Sequence, residues 1–211
     1  MVRVDEFFSF AGHNPKKSKT KMEPEYITDR IFDKWDATLQ PLPKAEYERC
    51  TFTGCQFQEA DLKQQLFTGC TFISCNLSLA KLNQASIRDT HFKDCKMLGL
   101  QFPNCNTFGM TFSFDNCLLD HASFYQLKLT KTRFRNCQLK EADFSESDFS
   151  NAVFEQCDLA GATFDRSVLE KADFRTAVNY AINPEKNRIK KARFSLPAVT
   201  GLLAHYDIKI D

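Results

Sequence analysis

The chain has 211 residues, 43% hydrophobic and 26% charged, which is the composition of a globular protein. Its 28 Lys and Arg against 27 Asp and Glu leave a net charge of +1, which excludes a wholesale basic nucleic-acid binder and a globally acidic decoy. Against 21 Phe and 9 Cys stand only 7 Gly, so phosphate-cradling glycine loops are not expected.

In chain order, residues 1–25 fit no repeat and read as a flexible basic arm, with Lys16, Lys17, Lys19 and Lys21 beside Asn14-Pro15. Met1–Phe10 carries Asp5 and Glu6 where a secretion signal needs an apolar centre. A cytoplasmic setting with free thiols is therefore expected. An irregular first coil is expected over 26–44, where Phe32 and Leu42 fall in frame with Tyr47.

From Tyr47 the period is five, which suits neither an α-helix nor a simple strand. One run steps from Tyr47 to Phe102 and a second from Leu119 to Phe174; all 24 slots are large and apolar or aromatic, and 21 are Leu or Phe. Two residues before each centre the side chain is small in 21 of 24 cases, Gln65, Leu100 and Leu127 being the exceptions. Cys50, Cys55, Cys70, Cys75, Cys95, Cys105, Cys117, Cys137 and Cys157 all fall in that small slot.

Ala142-Asp143-Phe144-Ser145-Glu146, Cys157-Asp158-Leu159 and Ala172-Asp173-Phe174 resemble the A-(D/N)-L-x-x unit of the pentapeptide-repeat family. The resemblance implies an all-β fold: a right-handed quadrilateral β-helix with four pentapeptides per coil and, here, a C-terminal capping helix. Residues 20 apart then stack. Phe52, Phe72 and Phe92 make one column with Phe112 continuing it, Phe124, Phe144 and Phe164 a second, and Phe134, Phe154 and Phe174 a third. Cys55, Cys75 and Cys95 stack likewise, as do Cys117, Cys137 and Cys157. The 24 repeats make six coils, a first stack over 45–112 and a second over 119–178. The frame shifts by two residues between them, so a bulge is expected within 103–116 and the frame-shifting segment is assigned to 113–118.

Residues 179–211 are expected to hold a last irregular coil, the capping helix and a short strand. Phe194 lies 20 residues after Phe174, and Pro197 suits a helix first turn. Leu196, Val199, Leu202, Leu203, Tyr206, Ile208 and Ile210 form the candidate dimer interface. A monomer whose helix plugs the solenoid end is the alternative.

No catalytic, cofactor-binding or metal site is expected. The cysteines lack the short spacing of zinc ligands, the four His are scattered, and no nucleophile–base pairing stands out. No run is long and apolar enough for a membrane span. The protein reads as a non-enzyme whose outward charges carry its function. Residues 128–140 hold Lys128, Lys131, Arg133, Arg135 and Lys140 with no acid. Asp120, Glu141 and Asp158 lie on one side of the prism and Asp143, Glu146 and Asp165 on the next; with Lys140 and Arg166 these sides sum to −4. Arg135, Glu155 and Arg175 are expected to stack as a charge ladder.

The segments Cys95–Leu100, Ser123–Leu127 and Ile189–Pro197 are most similar to the topoisomerase-protecting subset of that family, the quinolone-resistance proteins and the immunity proteins for albicidin and microcin B17. That similarity implies a cytoplasmic homodimer that binds DNA gyrase as a DNA mimic, with a protein partner, no direct nucleic acid, no cofactor and no membrane. A passive interaction scaffold with an unrelated partner is the alternative.

Overall fold

The computed structural model describes residues 25–206 and 208–210; the expected basic arm lies outside them apart from Glu25. The chain winds as a right-handed four-sided β-solenoid of about seven turns. Eleven short strands give the two most regular sides. On the first side β1 (Glu25–Thr28), β3 (Ala45–Glu48), β5 (Leu66–Thr68) and β7 (Ser86–Arg88) form a four-stranded sheet. On the second, β2 (Ile31–Asp33), β4 (Thr51–Thr53), β6 (Thr71–Ile73), β8 (Thr90–Lys93), β9 (Phe112–Asp115), β10 (Arg133–Arg135) and β11 (Val153–Glu155) form a seven-stranded one. Every pairing is parallel, as Phe52↔Phe72 and Tyr47↔Phe67 illustrate. The third and fourth sides are held by single parallel bridges such as Gln56↔Asn76 and Asp61↔Lys81.

Nearly every five-residue unit turns one corner with its last residue in a left-handed conformation. Twenty-three residues other than glycine take positive φ, between 47° and 65°, and all but Asn179 stand at such corners. Left-handed backbone costs an L-residue on the order of 1 kcal/mol. What offsets it is the next coil: the corner N–H of Glu59 donates to the Ser78 carbonyl at 2.9 Å, and that of Glu141 to Ala160 at 2.9 Å. Few glycines are needed because each corner is held by a hydrogen bond.

The interior is more continuous than the sequence columns suggest. Phe92 pairs with Phe114, not Phe112. The first and third expected columns therefore join into one ladder, Phe32, Phe52, Phe72, Phe92, Phe114, Phe134, Phe154, Phe174 and Phe194, with neighbouring rings stacked at 4.6–5.4 Å. Phe102, Phe124, Phe144 and Phe164 make a second ladder at 4.8–5.0 Å. The two cysteine columns join as well, because Cys117 Sγ reaches back to the Phe92 carbonyl just as Cys95 Sγ reaches Phe72. All nine cysteines are buried and free. Hydrogen bonds donated to neighbouring sulfurs, and then burial, push the Cys95 and Cys137 thiols up, and burial pushes Cys105 up to about 12.

The two extra residues enter between Asn106, which still pairs 20 residues back with Ser86, and Phe112, which pairs 22 back with Thr90. They lie within 103–116 but ahead of 113–118, a stretch that is regular and holds residues 113–115 of β9. Gly109 takes the left-handed turn there at φ +68°. Phe112 falls in the small slot and buries its ring against Phe102 at 5.0 Å and Phe114 at 5.1 Å. The bulge coil holds that ring, and Leu127 is likewise buried in a small slot.

Two buried amides repair the irregular ends. Gln65 accepts the Ala45 N–H at 3.1 Å and donates to the Leu42 and Pro43 carbonyls at 3.3 and 3.0 Å. Asn187 accepts the Ser167 N–H at 2.9 Å and donates to Phe164 and Asn183 at 2.9 and 3.0 Å. Both occupy small slots where an adjoining irregular coil leaves backbone groups without strand partners. The first coil is already in register at β1 and β2, so its irregularity is confined to residues 36–44.

The C-terminal cap is not an α-helix but a pair of 3-10 turns, Leu196–Leu202 and Ala204–Tyr206. It sits tightly because residue 201 has no side chain: a Cβ there would lie 2.1 Å from the Tyr180 carbonyl. Ala198 and Leu202 pack on the core.

Candidate functional site

The six strip acids fall on two neighbouring sides of the C-terminal half, Asp120, Glu141 and Asp158 flanking the Leu119–Leu159 column, and Asp143, Glu146 and Asp165 flanking Phe144 and Phe164. They differ in what holds them. Asp143 Oδ1 accepts the Ser145 N–H at 2.9 Å, a local turn that fixes the corner. Asp158 Oδ1 accepts the Ala160 N–H at 3.1 Å and the Asn179 amide at 2.8 Å, while Oδ2 lies 3.5 Å from Lys140 Nζ. Burial pushes Asp158 up, but that amide, the N–H and the Lys140 charge together hold it below the ordinary carboxylate value. Asp120 accepts the Lys140 N–H at 2.9 Å. Glu146 takes the Gln126 amide at 2.7 Å and pairs with Arg166, and both hold its carboxyl low. Arg166 also meets Asp165 at 2.7 Å. Glu141 projects furthest, 69% exposed, with only the His121 ring at 3.3 Å.

The basic run of residues 128–140 does not form one patch. Arg135 closes on Asp115 of the preceding coil, and Lys140 on Asp158 within the strip. The expected ladder of Arg135, Glu155 and Arg175 does not form either, since Arg175 binds Asp173 at 2.7 Å. The residues stack in register, but each arginine finds a nearer carboxylate.

Leu79, Leu98 and Leu118 lie on the third side in successive coils, Leu79 being 55% and Leu118 37% exposed and Leu98 half-buried, with Leu118 stacked on Lys96. The Leu79 side chain lies over Gly99, where a Cβ would come within 2.8 Å of Leu79 Cδ2. At the bulge Phe108 is 77% exposed, with the Arg88 guanidinium 5.4 Å above its ring. At the C-terminus Leu196, Leu203, Tyr206, Ile208 and Ile210 are exposed, while Val199 and Leu202 are half-buried. A 3-10 turn aligns every third residue, so Leu196, Val199 and Leu202 fall in one row and Leu203 and Tyr206 in another. Residues 208–210 form no strand in the single chain.

Sequence reasoning missed one contact, His91 Nδ1 with Ser113 Oγ at 2.9 Å. The two residues are register partners across the frame shift, so their separation of 22 hides them from a 20-residue column. Asp115, the nearest carboxylate along the strand, is engaged by Arg135, and the backbone N–H groups around the pair are spent in the ladder. Among the described residues no group of three or more His, Cys, Asp or Glu could hold a metal ion, and no helix is long and apolar enough to cross a membrane.

The fold and surface define a solenoid of five-residue repeats with charged and apolar sides around an aromatic and thiol interior. The family model described as "Pentapeptide repeat region" matches residues 44–113, 65–144 and 110–177, and the chain belongs to the pentapeptide-repeat family. Among solved structures, trypsin-treated QnrB1, a plasmid-mediated fluoroquinolone resistance protein, is 19% identical, with 89% of this chain and 98% of that one covered at a TM-score of 0.44. HetL, a pentapeptide repeat protein involved in heterocyst differentiation regulation in the cyanobacterium Nostoc, is 15% identical over 80% of this chain and 84% of its own, at a TM-score of 0.36. No curated protein matches the chain.

Proposed function

We propose that the protein is a non-enzymatic interaction rod in the cytoplasm that binds DNA gyrase, or a related topoisomerase, through its acidic third and fourth sides and so protects the enzyme from poisons. The observation that carries this reading is the confinement of Asp120, Glu141, Asp143, Glu146, Asp158 and Asp165 to two adjacent sides of a rigid stack. Coils repeat at about 4.8 Å, so such acids line a straight edge with the pitch of the coils. A partner that reads duplex DNA through its backbone charge would meet a comparable negative rod. The exposed Leu196, Leu203, Tyr206, Ile208 and Ile210, with half-buried Val199 and Leu202, suit a two-fold contact that doubles the length of this edge. A supercoiling assay with purified gyrase tests the proposal. The protein should inhibit the enzyme or relieve its poisoning by a quinolone, albicidin or microcin B17; neither effect would overturn it.

A second reading, a scaffold for an unrelated protein, is favoured by the Leu79, Leu98 and Leu118 series, which lies outside the acidic strip. Affinity capture distinguishes the two: topoisomerase subunits retained on the wild-type protein support the first, and another protein lost on Leu79→Ser supports the second.

A further inference from the structure

The sequence-wide balance of charge conceals a second surface. Around the corner between the first and second sides of the C-terminal half stand Lys128, Lys131, Arg133, Lys171, Lys190 and Lys191, all exposed. Among the described residues none of the six makes an ion pair. Of the acids close to them, Glu170 and Asp173 are paired with other cations, and Asp148, the register partner of Lys128, keeps its charge. Asp148 accepts the N–H and hydroxyl of Ser150 at 2.9 and 2.6 Å, Glu170 binds Arg188 at 2.7 Å, and Asp173 binds Arg175 at 2.7 Å and Arg193 at 3.5 Å. Lys131, Asn151, Lys171 and Lys191 take the same corner position in successive coils, with φ of 65°, 60°, 59° and 61°. This row spans three coil steps, about 14 Å.

We infer that this corner is a docking edge for the phosphodiester backbone of a nucleic-acid duplex. Its charge sign and straightness match a line of phosphates: 14 Å is the axial length of about four phosphates on one strand. The chemistry of the edge selects the duplex over other polyanions. Thr130, Ser150 and Asn151 supply neutral hydrogen-bonding groups between the lysines, and the outward residues of the edge include no aromatic ring on which an unpaired base could stack. Within the four coils of the row the edge carries no exposed large apolar side chain to enter a bilayer or to anchor an acidic peptide; the nearest one in chain register is Phe108, a single ring in the bulge one coil before Thr130. Five of the six cations are lysines, flexible point charges suited to contacts that follow the backbone without reading sequence. The acidic strip occupies the opposite two sides, so one rod carries both signs on separate edges. The inference stands on this edge alone and is independent of what the acidic sides bind.

The test is fluorescence anisotropy of a labelled 30-base-pair duplex with the full chain at 50 and 200 mM salt. The variant Lys131→Gln/Lys171→Gln/Lys191→Gln keeps the fold, because glutamine already holds this left-handed corner at Gln64, Gln84, Gln126 and Gln156. The control Lys44→Gln/Lys63→Gln/Lys81→Gln removes equal charge from the fourth side. The wild type and the control should bind with the same steep salt dependence. In the corner variant the slope of log affinity against log salt should fall by about 2.7, at ~0.9 per lost phosphate contact. The inference is overturned if the wild type does not bind the duplex at 50 mM salt, or if the control weakens binding as much. It is equally overturned if phosphatidylserine vesicles or poly-glutamate bind as tightly with the same dependence on these lysines.

Discussion

The N-terminal and C-terminal halves of the solenoid share one interior and differ in their exteriors. The ring ladder from Phe32 to Phe194 and the thiol column from Cys55 to Cys157 both pass through the two-residue insertion without a gap. Outside, the N-terminal half presents hydroxyls and aliphatics, such as Thr51, Thr53, Thr71, Ile73, Leu79 and Leu98. The C-terminal half carries six unpaired cations on one edge and its acidic strip, with Lys140 and Arg166, on the two opposite sides. The interior is constrained by the need to stack a coil on a coil, whereas the exterior is nearly free of that demand and can be shaped by a partner.

If the interior is uniform, matched cuts in the two halves should cost the same. Phe72→Ala and Phe134→Ala each remove a fully buried ring stacked on both neighbours. Each should lose about 3–5 kcal/mol by equilibrium denaturation, and the two should agree within about 1 kcal/mol. A much smaller loss in one half would show that the insertion divides the rod into separate cooperative units.

A smaller loss is expected where the regular repeat ends. Gln65→Ala strands the Ala45 N–H and two carbonyls, and should cost about 1–3 kcal/mol. Hydrogen exchange should locate the loosening at Leu42–Ala45 and leave the C-terminal half unchanged; exchange spreading to the C-terminal coils would contradict a local role.

The exterior charges should matter least to folding, and mainly in acid. The Arg135 guanidinium holds the Asp115 carboxyl below its ordinary 3.8, and Arg175 does the same for Asp173. A carboxyl depressed in the folded state contributes stability that is present above its unfolded value and lost as pH falls through the folded one. Urea midpoints should therefore be flat near neutrality and fall below about pH 4, modestly because the arginine partners are more than a third exposed. A loss of stability between pH 7 and 5 would contradict the assignment.

The interior was legible in the sequence because a slot that must hold a large apolar residue in every coil leaves a period that cannot be missed. The insertion was harder to place: Phe108, Phe112 and Phe114 can each serve as a centre, and Phe112 lies 20 residues from Phe92. Five residues before Leu119 stands Phe114, and that signal fixes the register. Gln65 stood out as an exception in a small slot, but its purpose depends on Pro43, whose coil has no regular strand for the amide to join. Ion pairing was the least legible feature. Long side chains choose among carboxylates one coil away, one corner away or in their own unit, and a column of spacings cannot rank these options, as Arg135 and Arg175 demonstrate.

The most direct test of the proposed function is binding of purified gyrase to the immobilised protein and to a strip variant. Glu141→Lys/Glu146→Lys/Asp165→Lys spares Asp143 and Asp158, whose carboxylates hold local turns, and lysine already occupies the left-handed corner at Lys131 and Lys171. Salt-sensitive binding by the wild type that is lost in this variant, with an unchanged denaturation midpoint, is the predicted result. Equal binding by both proteins, or by neither, would contradict it.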